Sequence, residues 1–120
     1  MKTVATKELK EMLAQNGQPH VVDVLPEKNY KRAHLPGAVN IPYAHDDFVQ
    51  RVERAVGGKK ARTVVYCADE QCDLSRKAAE TLEKAGFEDV LDFEGGVKAW
   101  SQADQPLEGE IARETAQKAQ

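Results

Sequence analysis

The two cysteines are the residues of this sequence best suited to chemistry. Cys67 and Cys72 are the only cysteines among 120 residues, and they lie five positions apart in one short segment. This spacing matches neither a disulfide framework nor the C-x-x-C of thioredoxin-like redox sites. The three histidines lie far upstream with no paired ligand spacing, so the sequence predicts neither a metal site nor a cofactor. A reactive thiol is the hypothesis that remains.

The segment around Cys67 predicts a strand, a loop and a helix. Residues 62–67 read Arg-Thr-Val-Val-Tyr-Cys, which is typical of a strand that ends on Cys67. After a polar loop, residues 74–85 carry apolar side chains at helical spacing, and Gly86 ends the helix. Inward-facing loop amides and the helix dipole favour an anion at such a junction. We therefore expect a Cys67 thiolate that attacks a sulfur donor, holds the sulfur as a persulfide and passes it on.

Other roles for the two cysteines stay open at this point. A strand cysteine is often a small buried core residue, and only its position at the junction favours chemistry for Cys67. Cys72 could be a packing residue of the loop, a resolving thiol that attacks the Cys67 persulfide, or itself the sulfur carrier. Five residues are enough for the chain to loop back to disulfide distance.

The rest of the chain alternates strands and helices. Apolar patterns predict strands over 20–25, 38–41 and 89–93. They predict one helix over 6–16, a second that begins after Asp46 or Asp47, and a third that ends near Trp100. A polar stretch around Tyr30 fits a further helix. This alternation within one domain predicts a parallel sheet with helices on both faces. Ligands of such sheets bind outside the carboxyl ends of the strands, where Cys67 is expected.

Composition argues against several partner classes. The net charge is −3 and basic residues are scattered among acidic ones, so no nucleic-acid surface is expected. No apolar run approaches the roughly 20 residues that cross a bilayer, so no membrane partner is expected either. The first residues lack the apolar stretch of a secretory signal, which favours the cytoplasm. An exported protein that has lost its signal would look the same, and the oligomeric state is not indicated.

Several motifs together resemble the rhodanese family from Thr3 to Glu108. They are Val21-Val22-Asp23-Val24, Tyr30 to Ala38 with His34-Leu35-Pro36-Gly37, Val64-Val65-Tyr66-Cys67, Ser75 to Leu82, Gly95-Gly96-Val97-Lys98-Ala99-Trp100, and Pro106-Leu107-Glu108. The resemblance implies a three-layer α/β fold with a central parallel sheet of about five strands, and sulfur transfer at Cys67. It implies a domain over residues 1–108 and a polar tail over 109–120. By the same analogy Asp23, His34 and Gly37 hold a strand and a turn, and Trp100 belongs to the core.

The active loop departs from the family pattern. It consists, beyond the two cysteines, of Ala68, Asp69, Glu70, Gln71, Asp73, Leu74 and Ser75. It is two positions longer than usual and lacks the family's arginine, so Arg76 is the nearest partner for an anionic donor. Leu25 also replaces the arginine that often follows Asp-Val in the family. The three carboxylates of the active loop disfavour a thiolate and repel thiosulfate. We therefore expect a small sulfane-sulfur donor such as a thiol persulfide, or a persulfide-bearing protein.

Three further functions compete with sulfur transfer. The missing loop arginine favours a binding or regulatory module that kept the fold without turnover. The cysteine pair favours a dithiol redox element built from Cys67 and Cys72. A phosphatase is disfavoured because the residue six positions after Cys67 is Asp73, and nothing in the loop neutralises a phosphoryl group.

Overall fold

Five parallel strands form the centre of the protein. The computed structural model describes residues 2–111, with strands β1 (Lys2–Thr3), β2 (His20–Asp23), β3 (Val39–Asn40), β4 (Thr63–Tyr66) and β5 (Val90–Phe93) in the order β1-β5-β4-β2-β3. The helices are α1 (Thr6–Leu13), α2 (Glu27–Arg32), α3 (Phe48–Val56), α4 (Leu74–Lys84) and α5 (Gly96–Gln102). The predicted α/β fold with about five strands is confirmed.

The central strand β4 is apolar because it is covered on both faces. All four of its residues are buried, and it pairs with β2 on one side and with β5 on the other. Alternate side chains enter two different cores, as the pleat requires. Val65 packs with the α3 and α4 side of the sheet, whereas Val64 and Tyr66 pack with Leu9 and Trp100 on the other side.

The boundaries differ from the sequence-based expectation by a few residues. β4 ends at Tyr66, so Cys67 is the first residue after the strand. The capping aspartate of α3 is Asp47, but its side chain binds Arg51 (2.8 Å) instead of a helix amide. Strand β1 has no apolar pattern of its own and is defined by pairing of Lys2 and Thr3 with β5.

The described residues end inside the predicted polar tail, at residue 111. Within residues 2–111, no helix is long and apolar enough to span a membrane. The predicted polar tail falls largely on residues 112–120, which lie outside the described residues, and the division into 1–108 and 109–120 stays a prediction.

Candidate active site

The backbone of Cys67 is fixed by the turn that follows β5. The carbonyl oxygens of Cys67 and Ala68 accept hydrogen bonds from the amides of Val97 (3.2 Å) and Lys98 (3.0 Å). Gly96 makes this approach possible, because its φ is +60° and a Cβ atom there would collide with the Cys67 carbonyl. Gly96, the second glycine of the Gly-Gly pair, therefore allows the contact that positions the backbone of Cys67.

The Cys67 sulfur lies inside the protein, between the loop and α4. Only 1% of the residue is exposed. The thiol donates to the backbone carbonyl of Cys72 (3.3 Å), and the Ser75 hydroxyl lies 3.5 Å from the same sulfur. Ser75 is buried in the first turn of α4. The structure thus brings together three residues that the sequence analysis placed in the site.

Burial disfavours the Cys67 thiolate, contrary to the expectation from the sequence. Burial, reinforced by the Cys72 thiol, raises the pKa of Cys67 to about 11, while the hydroxyl and amide of Ser75 lower it in part. At pH 7 a thiol with this pKa is ionised to about one part in 10⁴. The main cause is removal from water, and the carboxylates of the loop are not among its causes.

Asp69 explains why two of the loop amides do not stabilise a thiolate. Its Oδ1 accepts the amides of Gln71 (3.0 Å) and Cys72 (3.1 Å), so both donors are already occupied. The same turn leaves the carbonyl of Cys72 directed at the sulfur. A carbonyl is an acceptor and favours the neutral S–H over the thiolate. Part of the expected anion site is therefore occupied by the protein's own carboxylate, and the Ser75 amide is the backbone donor that still favours a Cys67 thiolate.

A cavity of about 320 Å³ lies beside the cysteine, and we call it the acidic cavity. Its lining residues are Glu70, Gln71, Cys72, Asp73, Ser75, Arg76, Asp92 and Glu94. Cys67 is not in the lining, and its sulfur lies behind Ser75 and Cys72, both of which it contacts. Ser75 and Cys72 therefore stand between the acidic cavity and the Cys67 sulfur.

The basic side chains near the site are turned toward Asp73. Arg76 Nη2 lies 3.9 Å from Asp73 Oδ2, and Lys77 Nζ lies 3.2 Å from the same oxygen. Arg76 also lines the acidic cavity, where it is the single cation among the lining residues. Its predicted role as the anion partner stays untested, and Asp73 competes for its charge.

The structure adds Asp92, which the sequence analysis did not single out. Asp92 lies in β5 beside Val65 of β4 and is 1% exposed. Burial raises the pKa of its carboxyl, with the Ser75 hydroxyl acting in the opposite direction and Glu94 adding to the increase. The sequence feature that could have indicated Asp92 is its charge inside the otherwise apolar strand Val90-Leu91-Asp92-Phe93.

The remaining predicted residues fall outside the immediate site. Nδ1 of His34 lies 2.7 Å from the Tyr30 carbonyl oxygen, and its ring stacks on Tyr30, as expected for a loop histidine. Trp100 is a buried core residue whose indole donates to Pro106 (2.8 Å). Ala68 and Leu74 pack against the core on the α4 side. Residues 2–111 contain no group of three or more acidic, cysteine or histidine side chains that could hold a metal.

Comparison with known families decides where the chain belongs. The family model of the rhodanese-like domain matches residues 5–103, which is most of the chain. The chain belongs to the rhodanese-like domain family. The resemblance seen in the sequence motifs is thereby confirmed.

Two of three sequence relatives carry sulfur-transfer names, and the third is named as a transcriptional regulator. The adenylyltransferase and sulfurtransferase MOCS3 of Arabidopsis thaliana is 28% identical, over 82% of this chain and 23% of that protein. The HTH-type transcriptional regulator Rv0324 of Mycobacterium tuberculosis is 32% identical, over 77% of this chain and 38% of its own length. The thiosulfate sulfurtransferase GlpE of Vibrio cholerae is 28% identical, over 80% and 85% of the two chains. The names support sulfur transfer in general, and the chain spans less than half of the first two relatives.

Solved structures support the same fold. The rhodanese-like domain of an Anabaena protein superposes with a TM-score of 0.80 at 28% identity, covering 94% of this chain and 83% of that one. The thiosulfate sulfurtransferase of Pseudomonas aeruginosa gives a TM-score of 0.81 at 24% identity, covering 92% of this chain and 20% of that one. At that identity the second similarity concerns the fold alone.

Proposed function

We propose that this rhodanese-like domain is a sulfurtransferase that accepts sulfane sulfur on Cys67 as a persulfide and passes it to a thiol or other nucleophile. The observation that carries the proposal is the position of Cys67. It follows the central strand at the carboxyl edge of the sheet, with its sulfur 3.5 Å from the Ser75 hydroxyl at the start of α4. Nucleophiles of parallel sheets are commonly presented at this edge.

The first step needs no oxidant or metal. The Cys67 sulfur attacks the outer sulfur of a donor persulfide R–S–SH, the donor S–S bond breaks, and the proton of Cys67 passes to the leaving R–S⁻. The products are Cys67–S–SH and R–SH. In the second step an acceptor thiol attacks the outer sulfur of this persulfide and regenerates Cys67. A thiol persulfide suits the acidic loop better than the dianion thiosulfate.

The neighbouring thiol of Cys72 offers a second outcome for the sulfur. It is close enough to raise the pKa of Cys67. If Cys72 attacks the inner sulfur of Cys67–S–SH, a Cys67–Cys72 disulfide forms and sulfide leaves, which again balances without an external oxidant. The dithiol redox function is therefore a branch of the same chemistry.

The decisive experiment is intact mass after treatment with glutathione persulfide, and separately with thiosulfate. We expect one added sulfur atom, about 32 Da, that cyanide removes. The gain should be larger and faster with glutathione persulfide, and it should persist in Cys72→Ser because the sulfide-releasing branch is closed. Cys67→Ser should abolish it. Full adduct in Cys67→Ser and none in Cys72→Ser would show that Cys72 is the carrier.

A non-catalytic binding module is favoured by one specific observation, the occupation of the loop amides by Asp69. With its pKa raised to about 11, Cys67 reacts slowly unless the loop rearranges. Alkylation rates measured against pH would separate the two functions. A thiol that stays inert up to pH 10 and gains no sulfur from either donor would support the binding module.

A further inference from the structure

The acidic cavity has an excess of carboxylates. Four of its lining residues are acidic, namely Glu70, Asp73, Asp92 and Glu94, and Arg76 is its single basic one. Asp73 is engaged by Arg76 and Lys77. Within residues 2–111, the other three carboxylates form no ion pair. The cavity therefore has the charge to receive a cation.

Asp92 is the carboxylate that points most clearly to a missing ligand. It is 1% exposed, it lines the acidic cavity, and neither of its carboxylate oxygens has a partner at good hydrogen-bond geometry within residues 2–111, although the nearby Ser75 hydroxyl lowers its pKa. A buried carboxyl without a hydrogen bond costs folding free energy. Pairing across β5 and β4 fixes its backbone, so the side chain cannot easily leave this position. A cationic donor group arriving in the cavity would supply the absent partner.

The Ser75 hydroxyl sets the spacing between Asp92 and the reactive sulfur. It lies 3.5 Å from Cys67 Sγ, and it also lowers the pKa of the Asp92 carboxyl. A single small side chain thus separates the nucleophile from the unpartnered carboxylate. A short donor, whose cation and sulfur are joined by two carbon atoms, suits a carboxylate and a nucleophile that both neighbour one small side chain. The volume of about 320 Å³ is at the low end for small-molecule sites, which suits such a short donor.

We propose that the acidic cavity binds the ammonium group of a small β-amino thiol persulfide, with Asp92 as the specificity-determining residue that seats the donor sulfur at Cys67. The inference rests on the proposed sulfurtransferase function and names its donor class. The ammonium pairs with Asp92, while Glu70 and Glu94 attract the cation to the cavity mouth. Sulfur then passes to Cys67 by the balanced exchange given above, and the free β-amino thiol leaves.

Three donors of matched length test the charge preference. They are the persulfides of cysteamine, 2-mercaptoethanol and 3-mercaptopropionate, whose terminal groups are cationic, neutral and anionic at pH 7. We expect cysteamine persulfide to load Cys67 at least about tenfold faster than the propionate donor, with the neutral donor between them. Equal rates for all three donors would overturn the inference and leave the sulfurtransferase function standing.

Asp92→Asn should reduce this preference selectively. The amide keeps the size of the side chain but cannot carry the charge, so the ratio of the cationic to the neutral rate should fall about tenfold. Asp89→Asn is the matched control, because Asp89 precedes β5 at the opposite edge and pairs with Arg62. It should leave the ratio unchanged. An equal loss in both variants would assign the preference to net charge alone.

Binding without sulfur transfer separates the two proposals. 2-(Methylthio)ethylamine carries the same ammonium but no transferable sulfur, and it can be titrated into Cys67→Ser while amide signals are followed by NMR. We expect saturable shifts at Ser75 and Asp92 that vanish in Asp92→Asn, with Glu94→Gln retaining them more weakly. These shifts without any persulfide on the wild type would refute sulfur transfer and keep the cation site; their absence would refute the cation site.

Discussion

Two buried aspartates lie near the carboxyl ends of parallel strands, on opposite faces of the sheet, and only one of them accepts a backbone hydrogen bond with its side chain. Asp23 of β2 accepts the Leu25 amide (2.9 Å) with Oδ1, its Oδ2 has no hydrogen-bond partner within residues 2–111, and the Tyr66 hydroxyl lowers its pKa. Asp92 of β5 accepts no hydrogen bond at either oxygen within the described part of the chain. Asp23 faces the α5 side of the sheet, and Asp92 faces the cavity beside Cys67.

The difference separates a structural carboxyl from one that is available to a ligand. Asp23 ends β2 by binding the turn after it, and the Asn40 amide donates to the Asp23 and Leu25 carbonyls (3.1 and 2.8 Å). The hydrogen-bonding partners of Asp23 therefore belong to the neighbouring turn and strand of the same fold. Asp92 has burial of the same degree but no such partners, and the surrounding residues belong to the reactive loop. Burial alone does not identify a carboxyl that is available to a ligand; Asp92 differs in that neither of its oxygens has a good hydrogen bond and that it lines a cavity.

The largest expected effect is the pH dependence of stability caused by Asp23. Burial raises the pKa of this carboxyl from 3.8 to about 6. Between these values the folded chain keeps a proton that the unfolded chain has released, so stability falls as pH rises. Between pH 4.5 and 7 the wild type should lose about 2 kcal/mol more than Asp23→Asn. Urea unfolding at both pH values measures this, and parallel curves would show that the Asp23 carboxyl titrates normally.

The second effect concerns truncation of each carboxyl. At pH 5, Asp23→Ala should cost about 1–3 kcal/mol of unfolding free energy because the buried Leu25 amide loses its acceptor. Asp92→Ala should cost less than about 1 kcal/mol, since no hydrogen bond is lost and the cavity admits water. The same urea titrations give both values. A larger loss for Asp92→Ala would mean that it has a structural role after all.

The smallest effect distinguishes the hydroxyl groups near the two carboxyls. Tyr66→Phe removes the acceptor of the buried Leu35 amide (3.1 Å) and should cost about 1–2 kcal/mol. Ser75→Ala loses a long contact to sulfur and the favourable effect of the hydroxyl on the Asp92 carboxyl, and it should cost about 0.5 kcal/mol or less while slowing persulfide formation at Cys67. Thermal unfolding and donor loading rates check the pair. Equal stability losses would contradict the contrast drawn between the two faces.

Most of the fold could be predicted from the sequence because apolar periodicity and glycine positions are local signals. The β4 strand and α4 helix were placed to within a residue, since Val64, Val65 and the inward alanines of α4 are unambiguous. β1 could not be found this way. Lys2 and Thr3 are exposed and too few to show alternation, and only their pairing with β5 makes them a strand.

The candidate site could be predicted only in part. Position and spacing indicated Cys67, Cys72 and the loop, but not which loop groups face the sulfur. That depends on a three-dimensional competition, in which Asp69 takes two amides and leaves the Cys72 carbonyl to the thiol. Asp92 was missed because its proximity to Ser75 comes from packing of α4 on β5, which no sequence spacing records.

The anchoring of Cys67 by the turn after β5 has a consequence for the order in which the chain is made. Cys67 leaves the ribosome well before Gly96, Val97 and Lys98, whose close approach and amides fix its backbone. Until that later segment is synthesised and docked, the backbone at Cys67 and Ala68 lacks these two anchoring hydrogen bonds. In a nascent or truncated chain that stops before Gly96 the loop is therefore held less firmly, and we expect its Cys67 thiol to be alkylated faster than in the finished domain.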